Sequence, residues 1–139
     1  MQLELTSEII INASSEEIWN ELIDFNSYPE WNPFISSIQG NPEKGNCLKA
    51  NIDGMKFSPI ILESIPNNKL VWLGKLGIKG VFDGKHSFEI ISQDKACLFV
   101  QSEIFTGLLV PLFKKKLNKD TKEGFIKMNQ ALKARVEKN

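Results

Sequence analysis

Val81-Phe82-Asp83-Gly84-Lys85-His86-Ser87-Phe88-Glu89-Ile90-Ile91 alternates apolar and polar side chains with a period of two, the pattern of a strand with one face buried and the other in water. Phe82, Gly84, His86, Phe88 and Ile90 share the inner face; Asp83, Lys85, Ser87 and Glu89 share the outer. The strands of the middle of the chain are set off by regularly spaced turn signals, the mark of an antiparallel meander. The only histidine of the chain stands on the apolar side of this strand.

Downstream, Gln93-Asp94-Lys95 is a turn signal. With Asp94-Lys95 as a two-residue hairpin turn, Gln93 pairs with Ala96, His86 falls opposite Glu103, Phe88 opposite Gln101 and Ile90 opposite Phe99. A three-residue turn instead sets Ser102 opposite His86 and sends Glu103 to solvent, because one added residue exchanges the faces of a strand. After this second strand come the apolar connection Gly107-Leu108-Leu109-Val110-Pro111-Leu112-Phe113 and then Leu117, Thr121, Phe125, Met128, Leu132 and Val136 at helical spacing. This is the long closing helix. Gly124 lies beside its apolar stripe and costs about 1 kcal/mol relative to alanine there, which reads either as a strand or ligand in close approach or as a tolerated weak point of the helix.

Upstream, turn signals at Gly40–Gly45, Asp53-Gly54, Pro66–Asn68 and Gly77–Gly80 divide the middle of the chain into strands. Before them, two prolines four residues apart in Tyr28-Pro29-Glu30-Trp31-Asn32-Pro33-Phe34 preclude a long helix but allow a single turn begun by Pro29. At the start, Ile9-Ile10-Ile11 reads as a strand that gives way to a helix capped by Ser14 or Ser15. Glu17, three residues after Ser14, completes a capping box, and Asn12 belongs to the same cap. Strand, helix pair, run of strands, long helix is not a βαβ alternation, so the fold class is α+β. A helix laid across the concave face of a curved sheet leaves a gap that bulky apolar residues must line.

At 139 residues the chain has the size of one domain, and residues 1–139 are read as such. Seventeen basic residues balance seventeen acidic ones, so no global field draws in nucleic acid. Cys47 and Cys97 have no Cys-x-x-Cys spacing and no neighbouring histidine; they read as reduced, half-buried strand residues, and no metal or cofactor is expected. Phosphate-loop, dinucleotide and nucleophile-elbow motifs do not occur. No apolar run approaches a membrane span of about 18 residues, and Met1–Ser7 does not read as a secretory start, so a cytoplasmic location is expected.

Phe25-x-x-Tyr28-Pro29-x-Trp31-Asn32-Pro33-Phe34, Leu70-x-Trp72-x-Gly74, Phe82-x-Gly84-x-His86-x-Phe88 and Gly124-Phe125-x-x-Met128-Asn129-x-x-Leu132-Lys133 together resemble the START-like helix-grip superfamily (SRPBCC), closest to its polyketide cyclase/dehydratase and lipid-transport branch. The resemblance implies a curved seven-stranded antiparallel sheet wrapped around the last helix, two short helices after the first strand, and a lipid, polyketide or aromatic metabolite held between sheet and helix. It also favours the His86–Glu103 pairing, since Gln101-x-Glu103-x-Phe105-x-Gly107 is similar to a pattern that faces inward in the family.

Three functions follow as expectations. In the first, a carrier or sensor holds a small, largely apolar molecule against Trp31, Phe34, Trp72, Phe82, Phe88, Phe105, Phe125 and Met128, with His86, Gln101 and Glu103 as polar contacts. In the second, a cyclase- or dehydratase-type enzyme uses His86 as general base with Glu103 holding its tautomer; the same pair equally satisfies its own polar atoms between strands. In the third, a protein-interaction module of the chaperone-activator type uses an exposed apolar patch. The stretch Leu108 to Lys116 reads either as a transient contact with a membrane surface or as a buried strand-to-helix turn.

Overall fold

The computed structural model describes residues 2–75 and 80–138. The turn expected over Gly77–Gly80 falls, apart from Gly80, outside them. β1 (Gln2–Ile11) leads into α1 (Ser15–Ile23), where Ser14 Oγ accepts the Glu17 N–H and the Glu17 carboxylate accepts the Ser14 N–H. This is the expected capping box; Asn12 takes no side-chain part in it and instead donates its backbone N–H to Glu137 at 2.7 Å. One 3-10 turn, Phe25–Ser27, separates α1 from the four-residue α2 (Tyr28–Trp31), which Pro29 opens. Tyr28 is fully buried between them and donates its hydroxyl to the Leu22 carbonyl.

The sheet is split. β1, β8 (Ala96–Thr106), β7 (Asp83–Gln93), β6 (Lys69–Lys75) and β5 (Ile60–Ile65) form one antiparallel sheet in that order, while β2 (Ile35–Gln39), β3 (Lys49–Ile52) and β4 (Met55–Phe57) form a second. Eight strands therefore replace the expected seven. Residues 55–65, read as one strand, break at Ser58-Pro59 because proline brings no N–H to a ladder. Pro59 still joins the two sheets: its carbonyl accepts the Leu48 N–H at 2.7 Å, beside an isolated bridge between Cys47 and Ile60. Cys47 is consequently exposed and outside any named strand, not half-buried, whereas Cys97 on β8 is buried.

Helix begins earlier than expected. Val110-Pro111-Leu112-Phe113 is not a connection but the start of α3 (Val110–Lys116), with Pro111 in the first turn, where its missing N–H costs nothing. Leu117–Thr121 then widens into a π-helical turn before α4 (Lys122–Glu137). α4 lies along β1, held by the Lys122 ammonium on the Thr6 carbonyl and the Lys133 ammonium on the Ile10 carbonyl, and it buries Phe125, Met128, Asn129, Leu132 and Val136. A curved antiparallel sheet and a long C-terminal helix give the α+β helix-grip arrangement. No helix among the described residues is long and apolar enough to cross a membrane.

Candidate functional site

β7 and β8 pair from Asp83↔Thr106 to Gln93↔Ala96 around a two-residue turn, which sets His86 opposite Glu103 and Phe88 opposite Gln101. On the other side of β7, Leu70 pairs with Phe88, Trp72 with His86 and Gly74 with Gly84. The inner face thus carries large side chains at two successive positions and none at the third. At that third position an apolar cavity of ≈ 150 Å³ opens, comparable to an engineered cavity that holds benzene.

A side chain would be crowded at only one of the two positions. A Cβ on Gly84 would stand 2.2 Å from Glu103 Oε2, so the carboxyl occupies the space that a side chain would fill. A Cβ on Gly74 would meet nothing closer than 3.9 Å and would project into the void.

Four parts of the chain enclose the cavity: Phe34 before β2; Ile52, Asp53, Met55, Phe57 and Pro59 around the β3–β4 hairpin; Trp72, Glu103 and Phe105 with the two glycines from the large sheet, and Phe82 just before β7; and Phe113, Lys116, Leu117 and Thr121 from α3 and the π-helical turn. Glu103 is the one charged group among them that is mostly buried, at 14% side-chain exposure; Asp53 and Lys116 are exposed. Phe34 is aimed by Asn32, whose side-chain carbonyl accepts the N–H groups of Phe34 and Ile35 at 2.9 and 2.8 Å. Its ring meets Phe125 edge to face and rests on Gly124, where a Cβ would come within 2.3 Å of a ring carbon. The close approach read at Gly124 is therefore by an aromatic ring, neither a strand nor a ligand.

Behind Glu103 the site is solid. His86 is 1% exposed and lies among Phe88, Trp72 and Phe125, with ring centroids 4.4, 5.5 and 5.1 Å away. Its Nδ1 is 3.2 Å from Glu103 Oε1 and its Nε2 is 2.8 Å from Gln101 Oε1. Gln101 Nε2 donates to Asn129 Oδ1 at 2.8 Å and faces the Phe125 carbonyl at 3.5 Å, and Asn129 Nδ2 donates to Ser7 Oγ at 3.2 Å. A continuous polar line thus runs from the cavity wall through β7, β8 and α4 to β1.

Of the residues singled out in the sequence, Phe34, Trp72, Phe82, Glu103 and Phe105 line the cavity. His86 and Gln101 stand behind Glu103 rather than on the wall. Phe88, Phe125 and Met128 are fully buried in the core, because helical or strand periodicity marks a buried face without saying whether protein or empty space lies against it. Trp31 packs on Tyr28 and donates its indole N–H to Ser27 Oγ, away from the cavity. Asp83, read as outward, is buried where β7 begins and accepts the Gly80 N–H. The hairpin and α3 residues were missed: their strands are too short to show alternation, and Pro111 disguised the start of the helix. Leu108 and Leu112 are 83% and 74% exposed, so the Leu108 to Lys116 stretch is not a wholly buried turn. Among the described residues no three histidine, cysteine, aspartate or glutamate side chains gather as a metal shell.

Residues 2–137 match the family described as polyketide cyclase / dehydrase and lipid transport. No curated protein matches the chain. Among solved structures, a hypothetical protein from Helicobacter pylori superposes with a TM-score of 0.84 at 15% identity, over 96% of this chain and 88% of its own. The di-domain aromatase/cyclase StfQ of the steffimycin biosynthetic pathway gives 0.81 at 11% identity over 99% of this chain, which spans 51% of that protein. A START superfamily protein from Mycobacterium smegmatis gives 0.70 at 25% identity over 97% of both chains. Helix-grip architecture, a match across nearly the whole sequence and START-like structural neighbours agree: the chain belongs to the polyketide cyclase/dehydrase and lipid-transport family of START-like (SRPBCC) proteins.

Proposed function

We propose that the chain binds one small, largely apolar molecule in the cavity between the large sheet, the β3–β4 hairpin and α3, as a carrier or sensor. The observation that carries this reading is the Gly74–Gly84 pair, which leaves an apolar void bordered by one buried carboxylate. Ligand pockets have this make-up: predominantly apolar walls with few polar groups that fix orientation. The cavity volume suits a single aromatic ring or a short alkyl segment, and a lipid, polyketide or larger aromatic would enter by displacing Met55, Phe113 or Lys116 at the rim.

Delivery from a membrane surface fits the rim. Leu108 and Leu112 project into solvent on the segment that also supplies Phe113 and Lys116 to the cavity, and Lys114, Lys115 and Lys116 follow. Apolar side chains beside a lysine cluster suit an anionic bilayer; co-sedimentation with phosphatidylserine vesicles that Leu108→Ser/Leu112→Ser abolishes is the expected result.

Native mass spectrometry of freshly purified protein, against its denatured mass, tests the carrier reading: a retained apolar molecule is expected. Gly74→Leu fills the void without backbone strain and should release that molecule while the fold persists. Undiminished binding by Gly74→Leu would sink the proposal. A second reading, cyclase- or dehydratase-like catalysis with Glu103 at the reacting atoms and His86 as its positioning partner, rests on the same buried carboxylate. It predicts that His86→Ala loses turnover and keeps ligand binding.

A further inference from the structure

We infer that the His86–Glu103 pair holds a proton fixed in place by the Gln101–Asn129–Ser7 line, and that Glu103 Oε2 thereby serves as an acceptor selecting ligands that carry a hydroxyl donor. The inference rests on the cavity being the ligand site.

One group beside the polar line, a backbone carbonyl, can only accept. The Phe125 carbonyl faces one end of the Gln101 amide, so that end is the NH2 group and Oε1 is the atom turned to His86. The amide of Asn129 continues the same sense, with Oδ1 toward Gln101 and Nδ2 toward Ser7. Gln101 and Asn129 are 0% and 1% exposed, so no water competes for these contacts. Since Gln101 Oε1 accepts, His86 Nε2 must donate, and the ring carries its proton there.

That leaves Nδ1 turned to a carboxyl oxygen 3.2 Å away. A bare ring nitrogen and a carboxylate both only accept, and facing one another in an apolar enclosure they repel. A second proton between them removes the conflict and makes the pair neutral, as imidazolium with carboxylate or as imidazole with carboxylic acid. A neutral pair is also far cheaper to enclose than a lone carboxylate. In both forms Oε1 is engaged by His86 and Oε2 keeps its lone pairs.

Oε2 sits over Gly84 on the cavity wall and has no hydrogen-bond partner among the described residues. It meets whatever enters. A neutral apolar molecule with a phenol, enol or alcohol hydroxyl satisfies it; an ether of the same shape leaves it unpaired, and a carboxylate ligand is repelled.

Two measurements test this. Because His86 is the only histidine, nitrogen-15 NMR of the imidazole reports it without assignment. A protonated Nε2 with a proton on, or shared by, Nδ1 is expected, and Glu103→Gln should leave Nε2 protonated and strip the proton from Nδ1. A bare Nε2 with the proton on Nδ1 overturns the inference. In the second, 4-ethylphenol, 4-ethylanisole and 4-ethylbenzoate are titrated against the wild type, Glu103→Gln, Glu103→Leu and Gly74→Leu. The phenol should bind at least about tenfold more tightly than the anisole, the benzoate weakest of the three; Glu103→Gln, whose amide turns its NH2 to the bare Nδ1 and its oxygen to the cavity, should keep the phenol preference, and Glu103→Leu should lose it. Equal binding of phenol and anisole, abolished by Gly74→Leu, overturns the inference and keeps the cavity reading. If none of the three binds, both fall.

Discussion

Two ends of one inner face differ in what fills them. At the sealed end, Leu70–Phe88 and Trp72–His86 pair across β6 and β7, and Phe125 closes over them from the helix. One pair further along, Gly74 meets Gly84 and the same sheet borders a void. Strand direction, register and neighbours continue unchanged between the two. The cavity is therefore made by two missing side chains as much as by the curvature of the sheet, and the polar line from Glu103 to Ser7 is the seam between the ends.

The largest expected effect tests whether the ends differ in energy as well as in shape. Phe125→Ala should cost about 3–5 kcal/mol, since a fully buried ring leaves a hole that its neighbours cannot close. Met55→Ala at the open end, where the side chain is 44% exposed, should stay within about 0.5 kcal/mol. Equal losses in thermal or urea unfolding would erase the distinction.

Gly124→Ala sharpens it at the boundary. Alanine improves helix propensity by about 1 kcal/mol, but its Cβ would collide with the Phe34 ring, which is both cavity wall and helix contact. A net loss of about 1–2 kcal/mol is expected from the overpacking, together with altered probe binding; a stabilised protein would show that Phe34 is free to move.

A smaller loss than that at Gly124 lies outside the comparison and serves as its control. Burial above all, with Glu21 and Asp24 adding to it, holds the Tyr28 hydroxyl protonated far above the ordinary tyrosine range. Unfolded tyrosine ionises near 10, so the stability that this group contributes is full below that pH and is lost above it, as the unfolded chain releases a proton that the folded one keeps. Tyr28→Phe should cost about 1 kcal/mol at neutral pH through the lost bond to Leu22 and should flatten the decline above pH 10. Ultraviolet titration of this single tyrosine should show no phenolate until the protein unfolds.

The sealed end was largely legible in the sequence and the open end was not. Alternation over residues 81–91 and a two-residue turn at Asp94-Lys95 are enough to set His86 against Glu103, because register is whole-numbered and a turn length decides it. Helical spacing likewise exposes Phe125 and Met128 as buried. A void leaves no periodicity: Met55 and Phe57 sit on a three-residue strand, and Leu117 and Thr121 face the cavity from a π-helical turn whose hydrogen bonding no residue spacing announces. Gly74 and Gly84 were in view as motif positions, yet only the pairing of β6 with β7 shows that they stand opposite one another.

The pairing of β1 with β8 sets a timetable. Ile11 partners Cys97 and Gln2 partners Thr106, so β1 leaves the ribosome long before the strand it pairs with. At about 5–20 residues per second, the intervening chain takes roughly 5–20 s to make, and during that time the Ile9-Ile10-Ile11 run has no ladder to join. Sheet closure is accordingly a late and non-local event, of the kind that slows folding and leaves a newborn chain open to other partners. Ile9, Ile10 and Ile11 thus spend seconds without the strand that will eventually hold them.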